Sequence, residues 1–270
     1  MIEESIRNEV QDKIVEIFGE SHSFTWERIK EGYTNENFKI INEQGIPLAI
    51  CKVYVEDEIH SSKDRFDREL NALEIFSGIL APELVCHKNS QILVYKYIIG
   101  TELHKLPTSE INVDLLQKTI TKMLSLSKLK RNSLKSDVSS FYNKLVEKYT
   151  NSGIKYPKKL TDTLQMLSHQ QEEILDAYSE HLTFVHGDLI PPNFIFHEQK
   201  YTLLDWEFSR PELIFFDQQY FNYYAKAHNL PIVIEVEQNV QDFYNNLVDV
   251  LERLWRFGYE MSNKEIFYKI

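Results

Sequence analysis

The chain contains the stretch His186-Gly187-Asp188-Leu189-Ile190-Pro191-Pro192-Asn193 and, shortly after it, Leu203-Leu204-Asp205-Trp206-Glu207. Together they contribute a carboxylate (Asp188), an amide (Asn193) and a second carboxylate (Asp205). Short apolar runs on either side of the polar residues 197–200 predict two strands joined by a turn. Such a hairpin would bring Asn193 and Asp205 to one end, close enough to share a cation.

This order of groups is typical of phosphoryl transfer from a nucleotide. We predict that Asp188 orients an attacking hydroxyl group and accepts its proton, and that Asn193 and Asp205 hold Mg²⁺ against the phosphate oxygens. Either half alone could be an ordinary turn or a buried Asp-Trp pair. The two halves occur together in the order of the kinase signature, and this favours the catalytic interpretation.

The pattern His-Gly-Asp-x-x-x-x-Asn followed by Leu-Asp-Trp-Glu resembles the aminoglycoside phosphotransferase and choline kinase superfamily, whose members are small-molecule kinases related to protein kinases. The family commonly has a second His where this chain has Ile190, and a Gly where it has Pro192. Neither position is assigned to the chemistry, so these departures concern the acceptor rather than the reaction. The resemblance implies an α+β, two-lobed, protein-kinase-like fold that uses ATP, with GTP left open, and Mg²⁺.

The nucleotide side of the resemblance lies upstream. Gly32, Thr34 and Asn35 fall in a turn between two strand-like segments, similar to the family's Gly-x-x-Asn turn that covers phosphates. Lys52 lies inside an apolar, strand-like run, where a lysine is unusual because its charge is rarely buried without a partner. The residues 49–52 are close to the kinase Val-Ala-Ile-Lys strand, whose lysine binds phosphates. The alternative is a Lys52 that faces solvent from the other side of the strand.

The helix predicted at 64–76 should supply the partner of this lysine. The resemblance implies that Glu69 pairs with Lys52, and Glu74 is the alternative. Further along, it implies that main-chain groups of Lys96 and Ile98 bind adenine.

The strand that contains Lys96 and Ile98 is expected to lead out of the small lobe. This places a nucleotide-binding lobe at 1–98 and a catalytic, acceptor-binding lobe at 99–270.

The acceptor is expected to be a small molecule that carries a hydroxyl group. Glu207 follows the predicted metal ligand, and Tyr220, Tyr223 and Tyr224 have helical spacing. These tyrosines could form part of an aromatic box for a quaternary amine, although aromatic residues at this spacing also commonly pack on a core. Choline, an aminoglycoside, a sugar and an amino-alcohol therefore remain open. The resemblance also implies that Asp217 braces the catalytic loop.

Bulk properties narrow the possible partners. The net charge of −11 argues against non-specific binding of nucleic acid, and it is compatible with a cationic substrate or simply with solubility. The two cysteines, Cys51 and Cys86, form no zinc-binding motif and fit a reducing compartment. The sequence shows neither an apolar signal core at its start nor a long apolar run. We expect a cytoplasmic protein without membrane partners, and its oligomeric state stays open.

Two other interpretations compete with a small-molecule kinase. A protein kinase is disfavoured because the sequence lacks a glycine-rich Gly-x-Gly-x-x-Gly loop, an Asp-Phe-Gly and an Ala-Pro-Glu segment. A non-catalytic nucleotide-binding protein of the same fold is disfavoured because Lys52, Asp188, Asn193 and Asp205 are all present.

Overall fold

The computed structural model of this chain describes residues 4–19, 23–30, 35–56, 61–126, 131–151 and 153–261. They form two compact units. The first consists of the described residues up to Thr101 together with Ile195–Phe208, and the second consists of Glu102–Phe194 and the described residues from Ser209 onward. The segment 195–208 thus belongs with the N-terminal part of the chain. The predicted division into lobes 1–98 and 99–270 places this segment in the other lobe.

The first unit is built on a five-stranded antiparallel sheet with the strand order β1-β2-β3-β5-β4. Two helices accompany the sheet. The bounds of these elements are α1 (Glu4–Phe18), β1 (Thr25–Ile29), β2 (Asn35–Ile41), β3 (Pro47–Tyr54), α2 (Ser62–Phe76), β4 (Leu84–Lys88) and β5 (Ile92–Lys96).

The two faces of β3 serve different purposes. Cys51 belongs to an apolar cluster that also contains Val10 and Ile14 of α1, and all three are fully buried. Successive side chains of a strand point to opposite faces of the sheet. Lys52 and Tyr54 therefore point to the opposite face of the sheet, away from this cluster.

Helix α2 has clear end signals. The side chain of Ser61 accepts a hydrogen bond from the backbone N–H of Asp64, which is the usual N-cap arrangement. After Phe76 the chain turns at Gly78, whose φ of +69° is one that glycine adopts without strain. The helix therefore spans nearly the range that the apolar spacing predicts.

The predicted hairpin is confirmed as β8 (Phe194–His197) and β9 (Lys200–Leu203), which form a small sheet in the order β6-β8-β9 with β6 (Thr101–Glu102). The turn residues Glu198 and Gln199 both have positive φ, as a tight two-residue hairpin of type I′ requires. Gly100 approaches this hairpin so closely that a Cβ atom would lie 2.5 Å from the carbonyl oxygen of Phe196. This close approach associates the hairpin with the first unit.

The second unit is mostly helical. Its described residues include an antiparallel strand pair, in which Val185 of β7 lies opposite Arg210 of β10. Among the described residues, no helix is both long enough and apolar enough to cross a lipid bilayer. The bounds of the elements are α3 (Val113–Leu126), α4 (Arg131–Asn151), α5 (Lys158–Ala177), β7 (Leu182–Val185), β10 (Arg210–Leu213), α6 (Phe215–Ala227) and α7 (Gln238–Met261).

Candidate active site

Lys52 is the centre of a buried charge cluster in the first unit. Its side chain is 4% exposed, and its Nζ atom donates to Oε2 of Glu69 at 2.6 Å and to Oδ1 of Asp205 at 2.5 Å. Glu69 comes from α2 and is itself buried, whereas Glu74 is exposed. The structure thus selects Glu69 as the partner of the lysine and excludes a solvent-facing Lys52.

The electrostatics of the cluster keep Lys52 charged. Burial alone would lower the pKa of this ammonium group, but Asp205, Glu207 and Glu69 outweigh burial and raise the pKa well above its ordinary value. Burial raises the pKa of Glu69, and the charge of Lys52 opposes this shift. Tyr54 also donates a hydrogen bond to Glu69. A cation held in one place by fixed partners is well suited to bind phosphate oxygens.

Asp205 lies in a turn where its own backbone conformation is strained. Its φ is +66°, in the left-handed region that few residues other than glycine adopt and that aspartate tolerates better than most. The next residue, Trp206, is fully buried; its indole N–H donates to the carbonyl of Leu203, and its ring stacks on Phe76 with 4.8 Å between centroids. The tryptophan therefore anchors the turn, while the side chain of Asp205 stays 41% exposed.

The cluster has the donor set of a magnesium site. Carboxylate oxygens of Glu69, Asp205 and Glu207 lie within 4.8 Å of one another. Mg²⁺ prefers oxygen ligands and is commonly bound through one or two carboxylates plus phosphates and water. Asp205, the only one of these three that is substantially exposed, is the best placed to share an ion with a ligand from outside.

Asn35 and Arg65 complete the cluster. Asn35, at the start of β2, donates from Nδ2 to Oε2 of Glu207 at 2.5 Å, and its Oδ1 atom accepts from Arg65 at 2.9 Å. Sequence reasoning missed Arg65; an arginine on the same helical face as Glu69, four positions before it, is the signal that could have shown it. The other predicted turn residues, Gly32 and Thr34, lie outside the described residues.

The two predicted adenine contacts lie at the end of β5 and just beyond it. The backbone N–H of Lys96 donates to the carbonyl of Glu83 at 2.9 Å, and its side chain pairs with the same glutamate at 2.6 Å. A contact between Lys96 and a base would therefore have to use its carbonyl. Ile98 is half-buried in the irregular segment that follows.

The loop at 186–193, which the sequence predicts to be catalytic, lies in the second unit and is hydrogen-bonded to Asp217. This fully buried carboxylate, on α6, accepts the backbone N–H of His186 at 2.6 Å and of Gly187 at 2.9 Å. Burial raises the pKa of Asp217 to about 6, and the two backbone N–H groups counteract that shift. The bracing that the resemblance implied for Asp217 matches these contacts.

Asp188 and Asn193 are adjacent. Nδ2 of Asn193 donates to the carbonyl of Asp188 at 2.9 Å and to its Oδ2 atom at 3.2 Å, and Nδ1 of His186 accepts the backbone N–H of Asp188 at 3.3 Å. His186 is fully buried, while Asp188 is half-buried. The histidine therefore shapes the loop, and the aspartate is the group that a ligand can reach.

Two of the predicted acceptor residues meet a partner that sequence reasoning missed. The hydroxyl groups of Tyr220 and Tyr224 donate to the two oxygens of Glu252 on α7, at 2.7 and 2.5 Å. Burial raises the pKa of Tyr220, and the negative charges of Glu252 and Asp188 raise it further. Glu252 is 4% exposed and lies one turn after the buried Val248. An acid at a core position of an amphipathic helix is the signal that could have found it.

The environments of the other two predicted acceptor residues differ. Tyr223 is half-buried and packs edge-on against Tyr224, with 5.3 Å between ring centroids. Glu207 lies in the first unit, with its side chain 3% exposed and its carboxylate 3.3 Å from Nζ of Lys52. The structure thus groups Glu207 with the predicted nucleotide-binding residues.

A model of the phosphotransferase enzyme family matches residues 25–219 of the chain. The "Protein LicA homolog" of Mycoplasma capricolum is 27% identical over 184 residues, which cover 67% of this chain and 66% of that protein. The chain thus spans about two thirds of the length of the curated relative that it matches.

Solved structures agree on the fold. A choline/ethanolamine kinase family protein from Mesorhizobium loti is 16% identical with a TM-score of 0.60, and the match covers 97% of this chain and 88% of that one. The GDP and kanamycin complex of APH(2")-IIia is 14% identical with a TM-score of 0.57, over 94% of this chain and 92% of that one. The predicted α+β, kinase-like fold is confirmed.

Proposed function

Since this chain belongs to the phosphotransferase enzyme family, whose model matches well over half of it, we propose that it transfers the γ-phosphate of ATP to the hydroxyl group of a cationic amino-alcohol such as choline. The reaction class follows from the family. The acceptor class rests on one observation, the carboxylate of Glu252 held by the hydroxyl groups of Tyr220 and Tyr224.

The acceptor residues suit an alkylated ammonium group. The faces of tyrosine rings attract cations, and this attraction strengthens where water is excluded. Glu252 adds a buried carboxylate that accepts hydrogen bonds from both tyrosine hydroxyl groups. In this proposal a short amino-alcohol bound by these rings presents its hydroxyl group to Asp188, whose charge also contributes to the raised pKa of Tyr220.

The nucleotide is assigned to the cluster around Lys52. In this proposal Lys52 binds the phosphates and Glu69 orients Lys52. Asp205, the exposed member of this cluster, would hold Mg²⁺, which when bound neutralises charge on the phosphate oxygens, and the assignment of Asn193 as a second ligand stays a prediction from the sequence.

Asp188 receives the proton of the acceptor hydroxyl and aligns that hydroxyl for attack. Asp217 keeps the loop that carries Asp188 in place through two backbone N–H groups. Positioning and charge stabilisation supply most of the rate enhancement in reactions of this class.

A panel of acceptors tests the proposal. We would incubate the protein with Mg-ATP and choline, ethanolamine, thiamine, a simple sugar or kanamycin, and measure ADP release, with Asp188→Asn as the control for contaminating kinases. The expected result is a kcat/KM for choline at least about a hundredfold above that for kanamycin, since a buried cation-recognition site discriminates by several kcal/mol. A preference for kanamycin would assign the protein to aminoglycosides instead. Equal ADP release by wild type and Asp188→Asn would refute the catalytic assignment.

A further inference from the structure

Arg65 is a buried cation to which the mechanism above gives no role. It lies on α2, one helical turn before Glu69, and its side chain is 1% exposed. Taking a guanidinium group out of water is unfavourable unless its partners compensate. The partners of Arg65 are therefore informative.

The guanidinium group connects three separate parts of the first unit. One nitrogen donates to Oδ1 of Asn35 at 2.9 Å and lies 3.5 Å from Oε2 of Glu207. The other terminal nitrogen donates to the carbonyl of Val55, just after β3. The planar fork of an arginine can hold several acceptors in fixed directions, which the single ammonium group of a lysine cannot do.

Arg65 also determines how Asn35 is oriented. A guanidinium group can only donate hydrogen bonds, so the amide oxygen of Asn35 must face it. The NH₂ group of Asn35 then points to Glu207, to which it donates at 2.5 Å. Asn35 is the first residue of β2, so Arg65 connects the start of this strand, through Asn35 and Glu207, to the segment that carries Asp205.

The charge of Glu207 is shared between two cations. Its Oε2 atom lies 3.3 Å from Nζ of Lys52 and 3.5 Å from Arg65, and its side chain is 3% exposed. If a neutral side chain replaced Arg65, Lys52 would be the cation on which the charge of this buried carboxylate acts. Lys52 would then be drawn toward Glu207 and would be less available to a phosphate.

We propose that Arg65 is a positioning residue for nucleotide binding: it orients Asn35 and neutralises Glu207, so that Lys52 stays available to the phosphates. This inference rests on the proposed function, because it assumes that the cluster binds a nucleotide. It assigns Arg65 no contact with the nucleotide and no part in proton transfer. Its effect should therefore appear in nucleotide affinity, with little effect on the chemical step.

The test compares Arg65→Met and Arg65→Lys with Lys63→Met, which removes a 72% exposed positive charge from the same helix. Nucleotide affinity is measured by titration calorimetry with Mg-ATP, and kcat and both KM values are measured by ADP release. For Arg65→Met we expect nucleotide Kd and KM to rise about thirtyfold, with kcat within about threefold and acceptor KM unchanged. Arg65→Lys should give intermediate values of nucleotide Kd and KM, because lysine keeps the positive charge but lacks the planar guanidinium group. Lys63→Met should give wild-type values.

If Arg65→Met does not fold, Asn35→Ala removes the middle of the same connection and should raise the nucleotide Kd with the same unchanged kcat. The double variant Arg65→Lys with Glu207→Gln should show a change in Kd that differs from the sum of the single changes, as expected for groups that act through one another.

The inference is overturned if Arg65→Lys and Asn35→Ala lower the melting temperature while nucleotide Kd and KM stay at wild-type values, since that is the signature of a merely structural role. The same holds if the changes in the double variant are additive. The proposed function fails separately, if the wild-type protein binds Mg-ATP but releases ADP with none of the acceptors. Wild-type protein that does not bind Mg-ATP would overturn both.

Discussion

The Nζ atom of Lys52 lies 2.5 Å from the Oδ1 atom of Asp205, although 153 positions of sequence separate the two residues. The contact joins the strand lysine to the turn that follows the β8–β9 hairpin. A nucleotide phosphate would have to compete with this carboxylate for the lysine, while Glu69, a second partner of Lys52, keeps the ammonium group in place.

Lys52→Met should destabilise the protein strongly. The substitution leaves Glu69 buried without its cation, and breaking a buried ion pair from one side typically costs about 3–5 kcal/mol. Equilibrium urea denaturation measures the loss, and the double variant Lys52→Met with Glu69→Gln should recover part of it because Glu69 no longer carries an uncompensated buried charge. A single variant as stable as the wild type would mean that Lys52 and Glu69 do not form the pair seen in the structure.

Asp188→Asn should lower kcat by about a thousandfold or more, since the variant cannot accept the proton of the acceptor hydroxyl. The nucleotide Kd should stay within about threefold of wild type, because the phosphate-binding residues are unchanged. Rapid-quench measurement of product and calorimetric titration with Mg-ATP separate the two quantities. A large loss of nucleotide affinity with unchanged kcat would assign Asp188 to binding rather than to catalysis.

Asp217 should give the stability a defined pH dependence. Burial raises its pKa in the folded protein from 3.8 to about 6, so the folded state binds more protons than the unfolded state between these values. The stabilisation from this group is therefore fully present below about pH 4 and is lost as the pH rises to about 6, a change of about 3 kcal/mol. We expect the difference in unfolding free energy between wild type and Asp217→Asn to fall by this amount across that range in urea denaturation. If the difference in unfolding free energy between wild type and Asp217→Asn did not change with pH, the pKa of Asp217 would not be raised in the folded protein.

Glu252→Gln should weaken acceptor binding specifically. The substitution keeps the size of the side chain but removes the negative charge that we assign to a cationic acceptor, so acceptor KM should rise about tenfold while nucleotide KM stays unchanged. Glu260→Gln, an exposed position near the end of the same helix, is the matched control for charge. Equal acceptor KM values for Glu252→Gln and wild type would rule out a role of Glu252 in cation recognition.

The sequence predicts the family and the α+β fold correctly, because both depend on local patterns. The loop at 186–193, the hairpin at 194–203 and the strand around Lys52 each carry their signal within a few neighbouring residues. A turn needs particular residues at particular positions, and a buried strand needs an apolar run. These features can therefore be recognised before any contact between distant parts of the chain is known.

The partners of the chemical groups could not be predicted in the same way. Asn35 and Glu207 are 172 positions apart, and Tyr220 and Glu252 are 32 positions apart on separate helices. The apolar spacing of a helix or strand shows which of its faces is buried, but it does not show which other element that face meets. Arg65 and Glu252 look like ordinary charged residues in the sequence, and only the packing of their helices removes them from water and gives each its partner.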